Sequence, residues 1–161
     1  MQLKALSIAA AVALALAGAA QAQDSTKADR KAMKAEKDKI EATYKADKAK
    51  CTDMKGNEKD VCEADAKGKE NVAKAELEQK HQPSQAHQRK VDEAKAEHEY
   101  KVAKEKCDAQ KGQAKSACEK EAKASHDRAK ADIKAKYAKA DSARSRTAAT
   151  GSTKGAPAGS K

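Results

Sequence analysis

Four cysteines stand in two pairs, and each pair brackets a Lys-Gly dipeptide: "KCTDMKGNEKDVCE" from Lys50 and "KCDAQKGQAKSACE" from Lys106. In an unbroken helix Cys51 and Cys62 would share a face but lie about 16 Å apart along the axis. A disulfide needs its Cα atoms within about 7 Å. The pair therefore closes only if the chain reverses between its members. Gly56 stands almost midway, and Gly112 holds the same place between Cys107 and Cys118. Two helical hairpins, each stapled across its own turn, are the expected arrangement. Two other readings stand beside it. One is a redox or metal site, although ten intervening residues match neither the Cys-x-x-Cys pattern nor usual zinc-ligand spacing. The other is a continuous helix with disulfides between chains, which leaves Gly56 and Gly112 without a purpose.

The two halves agree well beyond the turns. An ungapped shift of 56 residues carries Lys34 to Lys90, Glu41 to Glu97, Tyr44 to Tyr100, Cys51 to Cys107, Gly56 to Gly112, Cys62 to Cys118 and Ala66 to Ala122. In so Lys/Ala-rich a chain the rare types, Tyr, Cys and Gly, carry the register. Residues 81–85, with Pro83, separate the copies because proline is poorly tolerated inside a helix. Asn57 followed by Asp60 reads as a cap with a carboxylate in the first turn, and Gln113 as a weaker cap. Met33, Ile40, Tyr44 and Cys51 form one stripe with coiled-coil spacing, and Cys62, Ala66, Ala73 and Leu77 another. Reversal at Gly56 places Tyr44 opposite the gap between Ala66 and Ala73.

Composition explains why such a chain needs staples. Of 161 residues 37% are charged and 2% aromatic, with no Phe or Trp. At about 1.5–3 kcal/mol per fully buried large side chain, the core is thin. A disulfide closing a loop of about a dozen residues contributes roughly 3 kcal/mol. Disorder is compatible with this composition, but Ala, Lys, Glu and Gln are strong helix formers. Acids also stand four residues before bases at Glu41/Lys45, Glu63/Lys67, Asp65/Lys69, Glu70/Lys74, Glu76/Lys80, Glu97/Lys101, Glu119/Lys123 and Asp132/Lys136, the favourable order in a helix. The fold class expected is all-α: two tandem disulfide-stapled hairpins, four helices, over residues 24–82 and 86–140. A disordered basic tail is expected over residues 141–161, where no hydrophobic period persists.

Residues 1–22 read as a cleaved secretory signal. Lys4 precedes an apolar run over residues 5–17, and Ala20 and Ala22 supply the small residues a signal peptidase requires. The run is shorter than the roughly 20 residues that span a bilayer. The expected location is the periplasm of a Gram-negative cell, where an even number of cysteines pairs.

The order Tyr-Lys, Lys-x-Lys-Cys, Lys-Gly-Asn-x-x-Asp-Val-Cys, an Ala/Lys-rich helix and a second copy resembles a group of exported Lys/Ala-rich proteobacterial proteins, often labelled TolA-like or cell-envelope biogenesis proteins. The likeness covers roughly residues 31–137; "KGNEKDVC" carries it best, and the second copy reads "KGQAKSAC". It implies an envelope location and a helical architecture, and no mechanism.

No catalytic, cofactor or metal constellation is visible. His81, His87, His98 and His126 form no i, i+4 pair and read as solvated. There is no Gly-rich phosphate loop and no nucleophile elbow, so an enzyme is not expected. A net charge of +10 remains to be explained. A basic exported protein meets anionic envelope material, lipid headgroups or lipopolysaccharide phosphates. The alternative is a structural or interaction module with an envelope protein as partner. Export and the many interspersed acids argue against nucleic acid.

Overall fold

The computed structural model describes the backbone of residues 17–151 and the side chains of residues 27–143. Within them the chain forms four helices and no strand: α1 Ala17–Lys50, α2 Gly56–His81, α3 Gln85–Asp108 and α4 Gly112–Gly151. None of them is long and apolar enough to cross a membrane.

Both hairpin turns are made the same way. After α1 the amides of Cys51 and Thr52 drop back to the carbonyls of Lys48 and Ala49; after α3 those of Ala109 and Gln110 drop back to Lys106 and Cys107. These i→i−3 bonds tighten a helix end. Gly56 and Gly112 then turn the chain at φ 54° and 59°, a region that costs a residue with a Cβ roughly 1–2 kcal/mol. Open space surrounds both glycines, so backbone conformation, not crowding, demands them. Reversal brings the Cα atoms of Cys51 and Cys62 to 5.7 Å and those of Cys107 and Cys118 to 5.5 Å, and both bridges are closed. Cys51 and Cys107 are fully buried.

Asn57 does not cap α2. Lys55 holds the cap position without a side-chain bond, and Asn57 Nδ2 instead donates to the backbone carbonyl of Glu105 on α3. A carbonyl of the neighbouring hairpin has taken the amide that local pattern assigned to the turn. The α2–α3 loop does use a side-chain cap: Ser84 Oγ accepts the amide of His87 at 3.0 Å, and Gln79 accepts the amide of Ser84.

The helices form an open row. Among the described residues α1 packs on α2, α2 on α3 and α3 on α4, with no contact between other pairs, and the contact between the hairpins is the most extensive. The buried side chains are few: Cys51, Ala66, Leu77, Val91, Ala96, Cys107, Ala122 and Tyr137, with Glu70 among them. Tyr44 does face Ala66 and Ala73, lining one crevice with them.

At the chain ends the boundaries differ from expectation. Helix α4 runs past Ala140 to Gly151, through the first half of the segment read as a disordered tail. Ala-rich sequence propagates a helix already nucleated by packing, whether or not a hydrophobic stripe continues. Residues 152–161 lie outside the described residues, as do residues 1–16 of the signal, while Ala20 and Ala22 fall within the first turns of α1.

Candidate functional site

The 56-residue register extends to charged contacts that sequence reasoning missed. Lys80 Nζ donates to both carboxylate oxygens of Glu36 at 2.7 Å, tying α2 to α1. Lys136 Nζ donates to Asp92 at 2.7 Å, tying α4 to α3. Shifting Glu36 and Lys80 by the repeat length lands on Asp92 and Lys136, so the same shift applied to charges, not only to Tyr, Cys and Gly, would have found both clasps. The third member differs. His81 lies 3.5 Å from Glu36, whereas the Tyr137 hydroxyl donates to Asp92 at 2.7 Å.

The hydrogen bond from Lys80 holds the Glu36 carboxyl below its ordinary range. At Asp92 burial works upward, but hydrogen bonds from Lys136, Tyr137 and Gln88 prevail and hold the carboxyl below its usual value. Tyr137 is pushed up by burial and by Asp92. Folded-state values below unfolded ones mean stability that is present above the unfolded carboxylate pKa and is lost as pH falls through the folded one. Helicity should therefore resist acid until the carboxylate range and then fall. Asp92→Asn should flatten that acid limb while leaving the melt at neutral pH lower than wild type, as circular dichroism against pH would record.

Only three of the eight i, i+4 pairs anticipated along single helices form: Asp65–Lys69, Glu70–Lys74 and Glu97–Lys101. Lys80 and Lys136 reach across to the neighbouring helix instead, and Glu76 pairs with Lys95 on α3.

Between the hairpins the decisive group is a histidine. His98 Nε2 lies 2.9 Å from Asp65 Oδ1, and its ring rests directly on Gly68: a Cβ there would stand 1.9 Å from His98 Cδ2. Lys95–Glu76 and Lys90–Glu78 flank it. Three of the histidines are thus largely covered, and all four have polar neighbours. His81, His98 and His126 are 17%, 20% and 13% exposed, each beside a carboxylate, and His87 Nδ1 lies 2.6 Å from the Gln82 carbonyl. A helical row gives His81, His98 and His126 neighbours on the adjoining helix that a list of spacings within one helix does not contain.

Each hairpin also holds a crevice below its disulfide. In the first, Ile40, Tyr44, Ala66 and Ala73 enclose about 260 Å³. In the second, Ala96, Tyr100, Ala122 and Ala129, the residues 56 positions on, enclose about 140 Å³. Several lining positions differ between the two, Ile40 against Ala96 and Glu70 against His126 among them. His126 stacks on Tyr100 with centroids 4.5 Å apart and planes at 6°. Its counterpart Glu70 is held by Lys67 and Lys74 at 2.7 and 2.6 Å, and those bonds keep its carboxyl below the usual range against the pull of burial. Tyr44 is left with the Lys67 ammonium 5.1 Å from its ring centre.

Comparison with known protein families, with curated proteins and with solved structures finds no match to this chain. Its chemistry has to be read from its own side chains. Among the described residues no group of three or more His, Cys, Asp or Glu is placed to hold a metal ion, and all four cysteines are spent in disulfides.

Charge is distributed unevenly across the row. Helix α2 carries more acids than bases and α3 equal numbers, while α1 and α4 hold the basic excess. Most bases on the inner helices are engaged: Lys67, Lys69, Lys74, Lys80, Arg89, Lys90, Lys95 and Lys101 all have carboxylate partners. On the outer helices Lys27, Arg30, Lys31, Lys37, Lys45 and Lys48 of α1, and Lys120, Arg128, Lys130, Lys134 and Lys139 of α4, are exposed. None of these eleven appears in any ion pair of the described residues.

Proposed function

We propose that this is a non-enzymatic periplasmic protein whose outer helices associate with anionic components of the cell envelope, acidic lipid headgroups and lipopolysaccharide phosphates. The observation that carries this reading is the concentration of exposed, unpaired cations on α1 and α4, against Lys104 and Lys106 on the inner helices. A lysine already paired with a carboxylate offers an anionic surface little, because approach must compete with its partner. Unpaired exposed lysines act at full charge over a Debye length of about 8 Å at physiological ionic strength. The signal-like residues 1–22 and the two disulfides support an oxidising, exported setting.

Sedimentation with vesicles tests this. Binding to anionic vesicles should be reversible and fall steeply with salt, and neutral vesicles should bind little. At about 1 kcal/mol per lysine near an anionic surface, replacing Lys31, Lys37 and Lys45 by Gln should weaken binding by roughly 100-fold. Those side chains are exposed and unpaired, so the helical melt should not move. Equal binding to neutral vesicles, or indifference to salt, would point to a specific protein partner in the envelope instead.

A further inference from the structure

Resting on that reading, we propose that the groove between α1 and α2 is a binding site for one single-chain anionic amphiphile, a fatty acid or a lipid bearing one chain. The crevice beneath the first disulfide does not end at Ala73. A second cavity of about 310 Å³ shares Lys39, Ile40 and Ala73 with it and runs on past Leu77. Together they make one trough. Along α1 it extends from Asp47 to Glu36, about 16 Å at the rise of an α-helix. Its floor is Tyr44, Ile40, Ala66, Ala73 and Leu77: large groups set against alanines too small to fill the space opposite them.

The rim carries the selectivity. Four acids line the trough, and each is neutralised: Asp47 by Lys50, Glu70 by Lys67 and Lys74, Glu36 by Lys80 and Glu76 by Lys95. Lys69 is spent on Asp65. Lys39 alone has no carboxylate partner, and it stands where the two cavities join. A carboxylate or phosphate head finds its counter-ion there, on a flexible stem that reaches toward either end of the trough. A neutral chain finds the floor but not the charge. The second hairpin's crevice is smaller, about 140 Å³, with His126 stacked on Tyr100 and Ala96 where the first has Ile40.

Titration of the mature chain with laurate below its micelle concentration, followed by calorimetry, is the test. Saturable binding of one laurate per chain is expected, with dodecanol at least about tenfold weaker, the factor that 1.4 kcal/mol represents. Ala73→Leu fills the shared wall and should abolish saturation. Lys39→Glu, at an exposed position that leaves packing intact, should weaken laurate by more than tenfold and decides the matter if Ala73→Leu shifts the melt. Unsaturable laurate binding, or binding unchanged in both variants, overturns the site. Vesicle sedimentation run in parallel separates the two readings. Salt-dependent vesicle binding without a laurate site removes the groove alone, and a laurate site without vesicle binding removes the outer-helix reading alone.

Discussion

Reducing both disulfides should lower the melting temperature of the helical signal by about 20 °C, a large part of the whole margin of stability. Each bridge closes a loop over a sequence separation of 11. Loops of about that length contribute roughly 3 kcal/mol each by restricting the unfolded chain, so the two supply about 6 kcal/mol of a total that is usually about 5–15 kcal/mol. Few buried side chains stand ready to compensate, since the core is largely alanine and cystine. Cys62→Ser and Cys118→Ser should each produce about half the effect. Tyr44→Ala should cost less than either, because that ring is only half buried and borders a crevice. Melting followed by circular dichroism with and without reductant gives the comparison, and a reduced protein that melts like the oxidised one would sink the staple account.

Gly68→Ala should destabilise the fold by about 1–3 kcal/mol, although alanine is the better helix former by about 1 kcal/mol. Intrinsic propensity alone predicts the opposite sign. The added Cβ would stand 1.9 Å from His98 Cδ2 and 2.4 Å from Cγ. Those atoms lie near the root of the imidazole, so the whole ring must leave α2. Its departure removes the contact with Asp65 and opens the largest interface in the row. The competing terms can be separated in a double-mutant cycle measured by urea unfolding. With His98→Ala in place the clash is gone, and Gly68→Ala should then become stabilising by up to about 1 kcal/mol. The same sign in both backgrounds would mean that His98 does not decide how the hairpins pack.

Much of the architecture was legible because its punctuation is written in rare residues. Cys51, Cys62, Cys107 and Cys118, the two turn glycines, Pro83 and the paired tyrosines each occupy positions that Lys and Ala cannot fill, and distance limits on a disulfide exclude a straight helix between bridged partners. From these alone follow four helices, two reversals and a repeat. That the hairpins pack on each other through α2 and α3, and which side chains meet across the helices, was not legible. On a helix where nearly every face carries Lys and Ala, the hydrophobic stripe is weak and each acid has several lysines within reach, so spacing within one segment cannot say whether Lys80 turns to Glu76 or to Glu36. Tertiary structure decided that, drawing Asn57 from its turn to the Glu105 carbonyl and seating His98 on Gly68. The physical reason is that rare residues act through local covalent and backbone constraints, whereas common ones act through whichever neighbour packing brings within a few ångströms.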